Sequence, residues 1–423
     1  MKAQKRTTML FSVKKTSAIM LLMALLAAVA IFASCGQSDD VAASPSDIIS
    51  KSQENIIPVD VSMSDTEMTI GICTVHGISA KGGEKIVWSS SDNSIAVIDS
   101  EGQITGTGLG ECDVTAENEY GKKAVCHVTV KKTAFITIDD GPLKYCGEIL
   151  LKLNKLDVKA TFFVVKTSNI AMVKQMHEDG HCVGLHTYSH KFSVCYRSEY
   201  SYFSDLEKLK DVIEEYTGER TNILRFPGGT SNTVMDRRGM RRMVSGLDDL
   251  GYRAFDWTAS ALDATGAPIT YEQAAGYALG SCIHDVDIIL MHDKMTTAKA
   301  IEIIVDRLSS AGYVFDTLDH YANWSYRVNT WYERSVGTEK IPCTDVSLNE
   351  MSMQMAVGEK NNLTVKMTPD DSTDYVRFVS DDPSVVSVTL EGEITGMRVG
   401  STTIRAIASS GQEADCRVTV NYS

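Results

Sequence analysis

Two short segments of this chain carry residues that could bind a metal ion and hydrolyse an unreactive bond. Asp139 and Asp140 follow a short apolar run and precede a Gly-Pro pair, while His186 and His190 stand four residues apart. One carboxylate and two imidazoles can hold a divalent cation and leave positions open for water and substrate. The second carboxylate then remains free to act as a base. These residue types indicate metal-assisted hydrolysis.

The elements that must position these residues alternate along the middle of the chain. Apolar runs predict strands, and amphipathic stretches between them predict helices. Such alternation is typical of a parallel sheet or barrel. The predicted strands cover residues 134–138, 161–165, 182–185, 223–226, 252–255, 288–291 and 313–315, and the predicted helices include 147–156, 202–216, 235–250 and 298–310.

Polar residues follow these predicted strands at their carboxyl ends. In parallel barrels the carboxyl ends of the strands form the rim on which active sites are built. So many polar groups at one rim are hard to explain as packing, and they predict an active site there. The residues concerned are Asp139, Asp140, His186, Arg225, Asp256 and His292.

The middle segment resembles the NodB-homology polysaccharide deacetylases, carbohydrate esterase family 4, whose fold is a distorted (β/α) barrel. The resemblance runs through Asp-Asp-Gly-Pro at 139–142, His-x-x-x-His at 186–190, Arg-Phe-Pro-Gly-Gly at 225–229, Asp-Trp at 256–257 and Leu-Met-His-Asp at 290–293. It implies that Asp140, His186 and His190 bind one divalent metal ion, namely zinc or alternatively cobalt, nickel or iron. It also implies that Asp139 is the catalytic base and that Arg225 pairs with it.

The same resemblance implies the acid of the reaction. His292 would protonate the leaving amine, which is a natural task for an imidazole. Asp256 would orient His292 and raise its pKa, with Asp263 as a nearby competitor for that role.

Three further residues would contact the substrate if the resemblance holds. The backbone N–H of Gly228 would help to stabilise the oxyanion, although the tyrosine side chain usual at this position is missing. Trp257 would wall the pocket, with a core position as the alternative. Leu290 would contact the acetyl methyl group or, equally, belong to the core.

The chain also contains an internal repeat on either side of this segment. Residues 58–131 and 343–421 both contain Gly-x-Ile-Thr-Gly and end in Cys-x-Val-Thr-Val, within short alternating runs that predict small β-sandwiches. Each unit resembles the bacterial Ig-like group 2 domain, which implies a spacer or an adhesive module, and the spacer is favoured. Cys112 and Cys126 flank a turn signal in the first unit, so a disulfide between them is one expectation.

The N-terminus predicts export, and the charge of the chain argues against nucleic acid as a partner. The chain of 423 residues has a net charge of −14, and all charges in residues 1–34 are basic. Such an acidic chain should bind nucleic acid poorly, because phosphate binding depends on Lys and Arg. Residues 1–34 have the pattern of an export signal, and the next residue, Cys35, resembles a lipidation site. Residues 35–57 would then be the lipidated cysteine and a linker, leaving the protein anchored on the outer side of a bacterial membrane or on the cell surface.

These observations predict a multidomain protein. A distorted (β/α) barrel at 133–328 would lie between two all-β Ig-like sandwiches, and it would remove N-acetyl groups from amino sugars of a cell-wall or extracellular polysaccharide. Peptidoglycan GlcNAc is the first expectation, because an enzyme anchored there meets it at once. The alternatives are an O-deacetylase acting on acetylxylan, a catalytically silent wall-binding or adhesion protein, and an amidase for small molecules.

Overall fold

The computed structural model describes residues 59–322 and 340–422. The predicted export segment, Cys35 and the linker to residue 57 lie outside the described residues. An all-β region comes first, a region of alternating strands and helices follows, and a second all-β region ends the described chain. Within these two ranges, no helix combines the length and the apolar character needed to cross a bilayer.

The N-terminal region consists of short strands that bury alternate residues. Its strands are β1 (Ser62–Met63), β2 (Glu67–Gly71), β3 (Val75–Gly77), β4 (Ala80–Lys81), β5 (Ile86–Ser90), β6 (Ala96–Ile98), β7 (Gln103–Gly106), β8 (Gly110–Asn118) and β9 (Lys123–Asp139). β8 pairs with β5 and β9, β2 runs parallel to β9, and β3, β7 and β6 form a separate sheet. Val114, Val128 and Ile104 are fully buried in the apolar core of this region.

β9 continues beyond the N-terminal region and becomes the first strand of the central sheet. The other central strands are β10 (Thr161–Val164), β11 (Cys182–Leu185), β12 (Ile223–Leu224), β13 (Arg253–Ala254), β14 (Ala259–Ser260), β15 (Val286–His292) and β16 (Tyr313–Phe315). The helices are α1 (Cys146–Lys155), α2 (Met172–Glu178), α3 (Phe192–Cys195), α4 (Glu199–Thr217), α5 (Arg237–Asp249), α6 (Tyr271–Ser281) and α7 (Met295–Ser310), and a 3-10 turn spans Leu318–His320.

The central sheet is parallel and curled. Its order is β13-β12-β11-β10-β9-β15-β14. β16 also pairs with β9, at Lys132–Ala134. β13 and β14 occupy opposite ends of this order, yet only residues 255–258 separate them in the chain. Because so few residues span less than about 18 Å, the two ends must approach each other. The sheet is therefore an incompletely closed barrel, as the predicted fold class requires.

The C-terminal region repeats the strand pairings of the N-terminal region. Its strands are β17 (Asp345–Leu348), β18 (Ser352–Ala356), β19 (Lys360–Asn362), β20 (Val365–Thr368), β21 (Val376–Ser380), β22 (Val386–Val388), β23 (Glu393–Gly396), β24 (Gly400–Ala408) and β25 (Glu413–Asn421). β24 pairs with β21 and β25, β18 runs parallel to β25, and β19, β23 and β22 form a separate sheet. The internal repeat in the sequence thus corresponds to a repeated topology.

The expected disulfide of the first unit is wrong. Cys112 and Cys126 are both free and buried. In the β8–β9 pair Cys112 lies opposite Val128, while Cys126 lies opposite Val114. The two cysteines are therefore offset by two residues along the hairpin, and each packs as a small apolar side chain.

Candidate active site

The polar residues predicted at the rim all lie at the carboxyl ends of the central strands. Asp139 is the last residue of β9, His292 is the last residue of β15, and His186 and Arg225 follow β11 and β12 directly. β9 pairs with β15 so that Asp139 and His292 lie opposite each other. The parallel sheet thereby brings together residues that are more than 150 positions apart in the chain.

Asp140, His186 and His190 form a cluster whose donor atoms lie within 4.8 Å of one another. Oδ1 of Asp140 is 3.2 Å from Nε2 of His190 and 3.5 Å from Nε2 of His186. The Nδ1 atom of His186 lies 2.9 Å from the carbonyl oxygen of Arg225, which fixes the proton on Nδ1 and leaves the Nε2 lone pair facing the cluster. Burial lowers the pKa of His186 to about 3, so its imidazole is neutral.

The backbone around this cluster adopts conformations that L residues rarely take. Asp140, Thr187 and His190 have φ values of 70°, 72° and 47°. Such left-handed residues persist only where the surrounding structure holds them. Here Asp205 accepts a hydrogen bond from the backbone of Ser189 (3.0 Å), and this fixes the segment between the two histidines.

Asp139 and Arg225 form a buried ion pair beside the cluster. Nη1 of Arg225 lies 2.8 Å from Oδ1 of Asp139, and the side chains are 0% and 4% exposed. The remaining guanidinium donors bind Thr137 Oγ1, Phe255 O and Asp256 O at 2.6 to 3.0 Å. Burial raises the pKa of Asp139, and the positive charge of Arg225 opposes that rise. Oδ2 of Asp139 lies 3.7 Å from Nε2 of His186, so the carboxylate borders the cluster.

The predicted pairing of His292 with Asp256 is wrong. Nδ1 of His292 lies 2.8 Å from Oδ1 of Asp263, and Oδ2 of Asp263 accepts the backbone N–H of His292 at 2.9 Å. The carboxylate of Asp256 is instead bound by the backbone N–H and the hydroxyl of Thr230. Burial opposes protonation of His292, but the hydrogen bond and charge of Asp263 outweigh burial and raise the pKa of His292.

The three predicted substrate contacts have different settings. Gly228 has a φ of 75°. Trp257 is partly buried, with its ring 5.7 Å from the guanidinium carbon of Arg225, and it packs in the apolar cluster that contains Phe163. Leu290 is 7% exposed within β15. The burial of Trp257 and Leu290 therefore favours the alternative in which both residues belong to the core.

Two further residues shape the site, and neither had a role predicted from the sequence. Asp293 accepts hydrogen bonds from the backbone of Leu143 (2.5 Å) and Tyr145 (2.9 Å), and it thereby holds the loop after Asp140. Phe192 is 38% exposed, and its ring centroid lies 6.1 Å from that of His190. A Cβ atom at Gly228 would lie 3.7 Å from Phe192, so this ring occupies space next to the missing tyrosine.

Comparison with known proteins assigns two parts of the chain. The family model for polysaccharide deacetylases matches residues 127–247, and the model for the bacterial Ig-like domain (group 2) matches residues 342–418. Peptidoglycan-N-acetylglucosamine deacetylase from Bacillus cereus is 29% identical over 233 residues, which cover 53% of this chain and 80% of that protein.

Two solved structures each cover a little less than half of the chain. One is the catalytic domain of peptidoglycan N-acetylglucosamine deacetylase from Eubacterium rectale, at 37% identity over 44% of this chain and 89% of that chain, with a TM-score of 0.43. The other is a family 4 acetyl xylan esterase from Clostridium thermocellum in complex with a cobalt ion, at 27% identity over 46% of this chain and 96% of that chain, with a TM-score of 0.39. Through its central region, the chain belongs to the polysaccharide deacetylase family.

Proposed function

We propose that this protein is a metal-dependent N-deacetylase that acts at the bacterial cell surface on amino-sugar residues of a polysaccharide, with peptidoglycan GlcNAc as the first substrate. The observation that carries the proposal is the cluster of Asp140, His186 and His190 beside the ion-paired Asp139. The cluster offers the donors for a cation, and the ion pair offers a base at its edge.

The three donors fit a first-row divalent ion. Metal–ligand bonds of about 2.0–2.2 Å in a tetrahedral arrangement separate neighbouring donor atoms by roughly 3.3–3.6 Å. The two donor separations measured to Asp140, 3.2 and 3.5 Å, agree with this value. The set of one carboxylate and two imidazoles suits zinc, with cobalt, nickel and iron as alternatives. A bound ion would supply Lewis acidity, which polarises an acyl carbonyl group and lowers the pKa of water.

Asp139 is assigned the role of base in this proposal. Arg225 occupies Oδ1 of Asp139, while Oδ2 lies on the side of His186. The arginine holds the carboxylate ionised and oriented despite its burial. Asp139 can therefore accept a proton from a water molecule placed between it and the acetyl carbon.

His292 is assigned the role of acid, with Asp263 as its positioning residue. Asp263 binds Nδ1 of His292, so the opposite nitrogen, Nε2, can carry a proton to the leaving amine. Thr297 donates a hydrogen bond to Asp263 (2.8 Å) and fixes the carboxylate that orients the imidazole. The backbone N–H of Gly228 completes the proposed machinery as an oxyanion donor.

The substrate and its surroundings follow from the relatives and from the domains. The B. cereus and E. rectale relatives are named for peptidoglycan N-acetylglucosamine, which supports an N-acetylated cell-wall polymer. Phe192 supplies an exposed aromatic face beside the cluster and could take the place of the missing tyrosine against a sugar ring. Residues 58–131 and 343–421 are proposed as Ig-like spacers, with Cys35 as the lipid anchor that keeps the enzyme outside the membrane.

O-deacetylation of acetylxylan remains the second candidate, because the same catalytic groups can hydrolyse an acetyl ester. One experiment separates the candidates: acetate release from peptidoglycan, chitin oligomers and acetylxylan, with and without chelator. We expect acetate from peptidoglycan, loss of activity with chelator, and no activity in His186→Ala. His177→Ala, a histidine in α2 outside the site, is the matched control and should remain active. If none of the three polymers releases acetate, the enzymatic proposal is contradicted and a catalytically silent wall-binding protein is favoured.

A further inference from the structure

A second cluster of two histidines and an aspartate joins the N-terminal region to the barrel. His76 lies in β3, Asp316 follows β16, and His320 ends the 3-10 turn. Their possible ligand atoms lie within 4.8 Å of one another. β16 aligns Phe315 with Ala134, five residues along β9 from Asp139, so this cluster is roughly 16 Å along the strand from the catalytic rim.

The carboxylate of Asp316 forms its ion pairs with two imidazoles, and it also accepts the backbone N–H of Thr317 (2.8 Å). Asp316 is 8% exposed, and its ion-pair partners among the described residues are His76 and His320. A buried carboxylate is stable when a cation or a set of strong donors pairs with it. Two protonated rings would repel each other, because the ring centroids of His76 and His320 are only 4.8 Å apart. A single divalent ion bound by two neutral rings would supply positive charge to the carboxylate without this repulsion.

One ring nitrogen of each histidine lies against the carboxylate of Asp316. Nε2 of His76 lies 2.7 Å from Oδ2, and Nδ1 of His320 lies 2.7 Å from Oδ1. These are hydrogen-bond distances, so protons hold the cluster together in the absence of an ion. Donor atoms of a tetrahedral zinc site are roughly 3.3–3.6 Å apart, so moving each ring outward by less than about 1 Å would suffice. The side chain of His320 is 46% exposed, which gives an ion a path from solvent.

We propose that His76, Asp316 and His320 form a second divalent-cation site, which takes zinc or a similar first-row ion and fastens the N-terminal region to the barrel. The ligands come from positions 240 residues apart in the chain, so an ion bound by all three binds only the docked form. Such an ion stabilises that form by mass action. Its function is structural, and it is independent of the reaction at the rim.

The test uses the full chain with the catalytic cluster removed by His186→Ala and His190→Ala. After loading with zinc and exhaustive dialysis, this background should retain about one equivalent of zinc by elemental analysis, as a structural site does. Adding His76→Ala should remove that zinc, and so should adding His320→Gln, a milder change at a half-exposed residue. His127→Ala is the matched control, because His127 is an exposed histidine of the same region whose closest partner is Asp113 (2.9 Å). The control should keep the zinc.

A thermal measurement provides a second readout that does not depend on activity. Zinc should raise the unfolding midpoint of the background by roughly 3 °C or more, and this rise should disappear with His320→Gln. A background that binds no zinc above a buffer blank would overturn the proposal and leave a purely hydrogen-bonded junction. Zinc that survives both His76→Ala and His320→Gln would overturn it as well, because the ion would then be bound elsewhere.

Discussion

Asp139 and Asp140 are neighbours in the chain, yet the backbone sends them to different environments. Asp139 is the last residue of β9 and faces Arg225 from inside the barrel. Asp140 has a φ of 70°, and its side chain turns towards His186 and His190. The left-handed conformation of Asp140 thus turns the proposed metal ligand away from the proposed base, Asp139. This division of labour gives the first prediction.

Asp139→Asn should abolish most turnover and leave the bound metal in place. The amide keeps the shape of the carboxylate but cannot accept the proton, and removal of a general base typically costs about 100-fold or more. Acetate release and elemental analysis of the same preparation check the two halves of this prediction. Turnover equal to that of the unmodified enzyme would rule out Asp139 as the base.

Asp263→Asn should move the alkaline limb of the pH–rate profile to lower pH. The pKa of His292 is raised chiefly through Asp263, so the protonated acid is present below that pKa and is lost as the pH rises through it. Without the carboxylate the pKa of His292 falls, and activity is lost at a lower pH. Asp256→Asn is the control and should leave this limb where it is. The reverse result would restore Asp256 as the partner of His292.

The residue types of the site could be predicted from sequence, but one pairing could not. The motifs place Asp140, His186 and His190 at strand ends that meet, and the structure brings their donor atoms together. The partner of His292 depends instead on which strand lies next to β15. That strand is β14, which has only two residues and no detectable periodicity, whereas β13 does not pair with β15. Asp263 follows β14, so it reaches His292, and Asp256 does not.

At the scale of elements, the burial pattern along β9 changes where the strand leaves the N-terminal sheet and enters the central sheet. Up to residue 132 buried and exposed residues alternate, as in a sheet with one solvated face. From Thr133 to Asp139 every residue is buried, as in a parallel sheet that is covered on both faces. The sequence pattern indicated both segments. It could not indicate that they form one strand, because Lys131, Lys132 and the change of burial pattern after them are equally typical of a boundary between two separate strands.

Another contact between elements joins the C-terminal region to the barrel. Tyr375, just before β21, is fully buried, with its ring 5.3 Å from Phe203 and 5.7 Å from Tyr200 on α4. Gly246 on α5 allows this approach, since a Cβ atom there would lie 2.7 Å from the ring of Tyr375. The tyrosine belongs to the apolar core of the barrel rather than to that of its own region.

Tyr375→Ala should therefore destabilise the protein by about 3–5 kcal/mol, as expected when a buried aromatic side chain is removed from a core. Tyr422→Ala is the matched control, because Tyr422 is 86% exposed in the same region, and its loss should cost less than about 0.5 kcal/mol. Urea denaturation followed by fluorescence measures both variants. Equal effects would mean that the buried ring does not hold the two regions together.

At the scale of the whole molecule, the order of the regions could be predicted from the repeat and from the change of periodicity near residue 134. The closeness of the regions could not be predicted, because it depends on single long-range contacts. Thr133 Oγ1 donates to Ile72 O at 2.7 Å, and Ala322 N donates to Cys73 O at 2.8 Å. Neither contact has a signature in a single sequence.

A chain that begins at residue 133 should unfold at a lower temperature than one that begins at residue 59. The shorter chain loses the contact of Thr133 with Ile72 and the bridge between Thr74 and Tyr321. Loss of these contacts and of the upstream part of β9 should lower the midpoint by roughly 5 °C or more. Calorimetry of the two chains checks this. Identical midpoints would mean that the barrel does not depend on the N-terminal region.

The uninterrupted course of β9 has a mechanical consequence. The strand runs from Lys123 to Asp139, so the N-terminal region and the catalytic centre share one covalent rod with no joint between them. A displacement of the N-terminal part of β9 is therefore transmitted directly to Asp139, the proposed catalytic base. In the proposed function, an anchor upstream of residue 59 would therefore carry the N-terminal region and the catalytic centre together, because β9 has no break between them.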